Sequence, residues 1–323
     1  MDKLLTIAIP TFNRAKFLEQ QLTWLSKAIN GFESDCEILI SDNCSTDNTQ
    51  EIIKKWQNIF INTIFKSHIN NENIGLMPNL AYCLQAATSK YVWVIGDDDP
   101  IQENALADII YSLKEHSDLS LLILNYSILY VPNNQIVRDR CFDVAQDEIY
   151  QNGKAVIEKY LKQEPTLLAF MTAQVYRTSS AQQALSNWKD SLNNREAQIY
   201  WTAFCALQGR VKITKDVYVE YACGMNSVPG PELWFKMRYA DLPTVYEKLT
   251  AIGYCQIICR KFILQHFAVT NWKVVLGALR QWPFFTIKII IPYLYLVSVS
   301  LGKLFLHLIF KSLTFRFVSS QAH

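Results

Sequence analysis

Apolar residues along the first 130 positions alternate between two spacings. "LLTIAI" (4–9) is a short continuous apolar run of the kind a buried strand shows, and Leu18, Leu22 and Leu25 then share one helical face. "CEILIS" (36–41) predicts a second strand. In "STDNTQEIIKKW", Ser45 or Thr46 is placed to cap a helix with acidic residues in its first turn. "NTIFKS" (62–67) predicts a third strand, 77–87 a helix, "YVWVIG" (91–96) a fourth strand, 103–116 a helix and 119–127 another strand. Strands alternating with helices imply βαβ units and an α/β fold with a mostly parallel sheet between helices.

Residues 128–225 are less regular. Helical spacing covers 153–163, 180–188 and 196–209, the last stopped by Gly209, and "VYVEYACG" (217–224) predicts a strand. "SVPGPE" (227–232) concentrates proline and glycine and marks a boundary. The expected organisation is therefore a domain over 1–226, made of halves 1–125 and 126–226, followed by an apolar helical tail over 227–323.

Charge sharpens that division. The formal net charge is +2, yet no Asp or Glu follows Glu247, while Lys248, Arg260, Lys261, Lys273, Arg280, Lys288, Lys303, Lys311 and Arg316 do. "IIIPYLYLVSVSLG" (289–302) carries no charge across fourteen residues. That is shorter than the ~18–20 residues of a spanning helix, and Pro292 interrupts it. Trp272, Trp282, Phe284, Phe285, Tyr293 and Tyr295 suit helices lying in an anionic membrane interface, on the cytoplasmic leaflet. A single span, or packing against the rest of the fold or an oligomer partner, are the alternatives. Basic residues interleaved with long aliphatic runs do not form a nucleic-acid patch. "MDKLLTIAIPTF" has no apolar h-region, so no signal peptide is expected. The eight scattered cysteines read as reduced buried thiols, and the five histidines form no cluster.

The candidate chemistry lies after the strands, where open parallel sheets gather ligands. "PTFNR" (10–14) follows the first strand, "SDNCSTDNT" (41–49) the second and "GDDDP" (96–100) the fourth. Each alone could be a turn or a cap. Three at one sheet edge point to a binding site. The aspartate run is the most demanding, because adjacent carboxylates raise one another's pKa unless a cation neutralises them. Oxygen ligands suit Mg²⁺ or Mn²⁺, which would stabilise a departing diphosphate.

In order and spacing, "IAIPTFNRAKFLEQQL", "CEILISDNCSTDNTQEII" and "NNENIGLMPNLAYCLQAATSKYVWVIGDDDP" resemble family 2 glycosyltransferases with the GT-A (Rossmann-like) fold. The version here is most similar to the abequosyltransferase-like branch acting on bacterial surface polysaccharides. The resemblance implies transfer from a nucleotide diphosphate sugar to a lipid-linked glycan of O-antigen or capsule, with inversion and with Mg²⁺ or Mn²⁺. The place implied is the cytoplasmic face of the plasma membrane. It places Pro10, Thr11, Asn13 and Arg14 along the nucleotide pocket. Asp42 would accept a hydrogen bond from the base with Asn43 beside it, and Asn73, Gly75 and Asn79 would lie near the ribose and diphosphate. Asp97–Asp99 fall on the metal-binding "DXD" region. The family reads Leu-Asp-x-Asp-Asp there, so Gly96 stands where the first Asp would be. Asp98 and Asp99 are then the metal and sugar contacts, Asp99 being also catalytic, and Asp97 meets ribose or solvent. The catalytic base belongs at the start of a helix that ends in glycine, which selects Glu196, with Asp190 next. A nucleotidyltransferase and an inactive membrane-associated nucleotide-sugar-binding module are the alternatives.

Overall fold

The computed structural model describes residues 3–224 and 230–320, with side chains as far as Phe305. The boundary expected at 227–232 falls partly on 225–229, outside the described residues. The chain divides into two compact units, Met1–Val228 and Pro229–His323.

In the first unit the chain runs β1 (Leu5–Thr11), α1 (Ala15–Ala28), β2 (Cys36–Asp42), α2 (Thr49–Gln57), β3 (Ile64–Ile69), α3 (Leu76–Ala86), β4 (Tyr91–Val94), α4 (Ala105–Glu115) and β5 (Leu119–Tyr130). It continues through β6 (Gln135–Arg138), β7 (Glu148–Tyr150), α5 (Gly153–Gln163), β8 (Gln174–Arg177), α6 (Thr178–Asn187), α7 (Ala197–Ala206) and β9 (Arg210–Cys223). The α/β class is as expected. Strands lie in the order β3-β2-β1-β4-β8-β5-β9-β7, with β6 on β5. Pairing is parallel across β3-β2-β1-β4 and again for β5 and β9. These two parallel parts are joined by β8, antiparallel to both β4 and β5. That four-residue strand has too short an apolar pattern to be read from sequence.

The apolar runs go where a doubly covered sheet puts them. Leu5, Ile7, Ala8 and Ile9 of β1 are fully buried, as are Leu18, Leu22 and Leu25 of α1 above them. The edge strand β3 leaves Ile64 and Ile69 exposed. Register then sets the position of the site. Thr11 pairs with Asp42 and Asp42 with Ile69, so β1, β2 and β3 end together and their following loops meet.

The second unit is helical: α8 (Pro231–Lys236), a π-turn, α9 (Leu242–Ala251), α10 (Gln256–Ala268), α11 (Trp272–Gln281) and α12 (Pro283–Ser320). Pro292 lies inside α12 and does not interrupt it. It is exposed, so the carbonyl it leaves without a donor, four residues back at Lys288, is on an exposed turn. On α12, Thr286, Ile289, Ile290, Tyr293 and Val297 face inward. The opposite side exposes Phe284, Ile287, Ile291, Tyr295, Leu301 and Phe305 at helical spacing. The 23 residues Pro283–Phe305 are long and apolar enough to cross a membrane, by length and composition.

Candidate active site

Asparagines fasten the ends of β2 and β3 to the start of α3. Asn43 donates to Asn73 Oδ1 (2.8 Å) and the Gly75 carbonyl (3.2 Å). Its own Oδ1 accepts from Asn70 Nδ2 and the Ile74 N–H, each at 3.0 Å. All four hydrogen-bonding positions of the amide are therefore used. Asn79 accepts from Ser41 Oγ (2.7 Å) and Asn70 Nδ2 (3.1 Å) and donates to the Ser41 carbonyl (3.1 Å). Gly75, just before α3, has φ 89° and ψ 169°, a conformation essentially reserved for glycine.

A second set of bonds ties the loop after β1 to the loop after β2. Asn13, at φ 52°, donates its N–H to Ser45 Oγ (2.8 Å) and accepts from the Thr46 N–H (2.7 Å). Asp47 receives the N–H of Ala15, the first residue of α1, at 3.0 Å. Pro10 pairs with Ser41, beyond the point where β4 stops, so its missing N–H costs no ladder bond there. Asp42 is fully buried and accepts from the Ser45 N–H (3.0 Å), Ser45 Oγ and Gln50 Nε2. Three of its four acceptor positions are thus filled from within the protein.

The acidic run is split between two holders. Arg14 Nη1 lies 2.8 Å from Asp97 Oδ1 and 2.7 Å from Asp98 Oδ2. Asp97 also accepts from Thr11 Oγ1 (2.7 Å) and is only 4% exposed. Asp97 is thus held inward, between Thr11 and Arg14. Burial pushes its carboxyl up to about 6, against the lowering pull of Thr11 and Arg14. Burial alone would lower Arg14, but Asp97 and Asp98 hold the guanidinium above its ordinary value.

Asp99 turns the other way. Its Oδ2 accepts from Thr172 Oγ1, whose oxygen accepts in turn from the Gly96 N–H at 2.9 Å. Burial raises this carboxyl to about 7; Thr172 works against the rise, while Asp98 and Asp97 add to it. Gly96 makes the arrangement possible. A Cβ there would stand 2.4 Å from Asp99 Oδ2, so the carboxylate fills the space a side chain would need.

Glu196 occupies the position just before α7, half-buried, with its N–H on Asn194 Oδ1 at 2.9 Å. Asp190 is exposed on the preceding 3₁₀ turn. Tyr221 of β9 packs on Phe170, and its phenol is raised by burial first, then by Cys223 and by the charges of Asp99, Glu196 and Asp98. Sequence reasoning did not single out Thr172, Tyr221, Gln50 or Asn70. Asn70, which opens the "NNENIG" stretch a little beyond the strand expected at 62–67, carried a local signal.

The donor set can be tested for a divalent ion. Asp98 Oδ1 and Asp99 Oδ1 accept no hydrogen bond among the described residues. Nor do the described residues include a group of three or more His, Cys, Asp or Glu arranged as a closed cage. Hard carboxylate oxygens are the ligand type of Mg²⁺ and Mn²⁺, which take much of their shell from a diphosphate and water.

The sequence model "Glycosyl transferase family 2" matches residues 6–183. Abequosyltransferase RfbV of Salmonella typhimurium is 35% identical over 118 residues, 36% of this chain and 35% of that protein. The poly(ribitol-phosphate) beta-N-acetylglucosaminyltransferase TarS of Staphylococcus aureus is 24% identical over 289 residues, 86% of this chain and 47% of that one. The chain thus spans about a third to a half of the length of these curated relatives. Among solved structures, TarS 1–349 with UDP-GlcNAc superposes with a TM-score of 0.65 at 17% identity, covering 91% of this chain and 81% of that one. The mannosyltransferase PcManGT of Pyrobaculum calidifontis, with GDP-Man and Mn²⁺, gives 0.51 at 15% identity, over 93% and 87%. These likenesses identify the GT-A fold, and the nucleotidyltransferase alternative falls away. Matched by the family model over more than half of its 323 residues, the chain belongs to glycosyl transferase family 2.

Proposed function

We propose that this glycosyltransferase moves a sugar from a nucleoside diphosphate sugar to a lipid-linked glycan acceptor in bacterial surface polysaccharide synthesis, with inversion and with a divalent metal. The observation that carries the reading is the pair of unbonded carboxylate oxygens, on Asp98 and Asp99, at the sheet edge where Arg14 also lies. Relatives named for abequosyl, N-acetylglucosaminyl and undecaprenol-linked glucosyl transfer support the acceptor class.

Pro10, Thr11, Asn13, Arg14, Asp42, Asn43, Asn73, Gly75 and Asn79 form the wall for the nucleotide and diphosphate. Its internal hydrogen bonds set its shape before the donor arrives, which lowers the ordering cost of binding. Asp98 and Asp99 would hold Mg²⁺ or Mn²⁺, which supplies positive charge against the diphosphate. Glu196 takes the proton from the acceptor hydroxyl as that oxygen bonds to the anomeric carbon and the bond to the diphosphate breaks. Arg14 faces the same developing negative charge and is charged at any working pH. The nine basic residues after Glu247 and the exposed apolar side of α12 suit anionic lipid at the cytoplasmic face, where a lipid-linked acceptor is found.

A thermal-shift screen of UDP-, GDP- and TDP-sugars with and without Mn²⁺ tests the donor reading, since a ligand that binds the folded state raises its stability by mass action. No shift with any of them would remove it. Sedimentation with anionic liposomes tests the lipid reading: full-length protein left in the supernatant at low salt ends it.

A further inference from the structure

Beside the acidic run the structure places aromatic rings that the donor reading does not use. Tyr126 is buried, its hydroxyl donating to the Leu167 carbonyl at 3.1 Å. Phe170 packs on it with ring centroids 4.9 Å apart, and Tyr221 packs on Phe170 at 5.1 Å. The three form a ladder from the core to the surface. Phe170 is half-buried and Tyr221 is 42% exposed, so the outer rungs reach solvent.

The position of the ladder gives it meaning. Phe170 stands two residues before Thr172, the side chain that holds Asp99, so the ring is tied by the backbone to the acidic run. Tyr221 reaches the same place from β9, with Asp98, Asp99 and Glu196 close enough for their charges to bear on its phenol. Tyr130, 40% exposed at the end of the partner strand β5, continues the aromatic surface outward.

A sugar ring has one or both faces lined with C–H groups, and such faces stack on aromatic rings through dispersion while the hydroxyls stay free at the rim. A hydroxyl at the rim of a ring lying on Tyr221 would sit among the acids. We propose that Phe170 and Tyr221 form the platform on which the acceptor's terminal pyranose stacks, presenting its hydroxyl toward Glu196. The proposal rests on the glycosyltransferase reading and names the acceptor side of the same site.

The test is saturation-transfer NMR on the full chain, with UDP, GDP or TDP and Mn²⁺ present. The probes are methyl pyranosides of glucose, galactose, mannose, N-acetylglucosamine and rhamnose. At least one glycoside should receive saturation at its ring C–H protons from wild type. Tyr221→Ala and Phe170→Ala should each weaken that glycoside's binding about fivefold to tenfold, the value of one aromatic contact. Tyr221→Phe keeps the ring face and should stay within about twofold of wild type. Nucleotide affinity, read in the same samples, should hold in every variant. If none of UDP, GDP and TDP binds wild type, the nucleoside diphosphate sugar donor reading has failed. If a nucleotide binds but no glycoside is saturated, or Tyr221→Ala binds as wild type does, the platform is overturned. Equal losses in Tyr221→Phe and Tyr221→Ala would also overturn it, because the hydroxyl and not the face would then be the contact.

Discussion

Residues up to 125 and residues from 126 to 224 contribute to the site in different ways. In the first half the polar groups at the strand ends are held by one another. Asn43 uses its whole amide, Asn79 and Asp42 are locked from within, and Arg14 neutralises two aspartates. The second half brings single groups from separate elements: Thr172 behind Asp99, Glu196 at a helix start, Phe170 and Tyr221 partly in solvent. A wall cross-linked by short side chains suits a ligand part common to many reactions. Partly exposed aromatics can change without unlocking anything, which suits the part of the reaction that differs between enzymes.

The comparison can be broken most sharply at Asp99, where the halves meet. Asp99→Ala should abolish transfer, since charge stabilisation by a metal is worth several kcal/mol. Its fold should persist, because Thr172 keeps the Gly96 N–H. Chelation with EDTA should give the same loss in wild type, with Mn²⁺ restoring it. Full activity in EDTA would remove the metal from the site. Glu196→Gln should leave donor affinity unchanged and lower turnover by about 10²–10⁴. If its turnover is normal, the base is another group, and exposed Asp190 is the next to substitute.

How far the sequence could be read follows the same division. β1, β2, β4 and α1 are contiguous patterns of strong apolar spacing, and the clusters after the strands are compact, so both were legible. Thr172 was not, because its meaning depends on β8 inserting between β4 and β5, and it meets Asp99 from 73 positions away. β9 was expected only from 217 but begins at Arg210. Lys212 breaks the apolar run there, and its burial is tolerable only through Asp147 (2.9 Å) and Ser112 (2.6 Å), partners supplied by distant elements.

Two smaller effects sharpen the picture within the first half. Gly96→Asp restores the residue the family motif carries, yet it should lower activity by about tenfold or more, because Asp99 must leave Thr172 to make room for the Cβ. Near-normal activity in Gly96→Asp would mean Asp99 is not needed in this orientation. Asp42→Ala strands the Ser45 and Gln50 donors, so it should cost about 1–3 kcal/mol of stability, read by urea unfolding. An unchanged unfolding midpoint would show that Asp42 is not the internal lock described.

The smallest expected effect is a pH dependence with a definite sign. Asp99 goes from an ordinary 3.8 to about 7 on folding, and Asp97 from 3.8 to about 6. A carboxyl whose folded pKa is raised binds more protons folded than unfolded between those values, so it makes stability fall as pH rises. For Asp99 the fall begins near pH 4 and is complete somewhat above 7. Glu37 behaves oppositely: Lys66, Thr6 and Thr88 outweigh its burial and lower it from 4.5 to about 2. Its stabilisation is lost only as pH falls from about 4.5 toward 2, below the window of interest. Comparing wild type with Asp99→Asn cancels the other groups, since the amide keeps an acceptor for Thr172 and does not titrate. Without metal, the variant should be the more stable at pH 8 by at least about 1 kcal/mol, one pK unit's worth. That advantage should shrink steadily toward pH 5. Mn²⁺ with UDP should remove it at pH 8 by stabilising the wild-type carboxylate. A difference that does not change with pH would mean Asp99 is ionised at no cost in the folded protein, and that Thr172 and nearby water suffice to hold its charge.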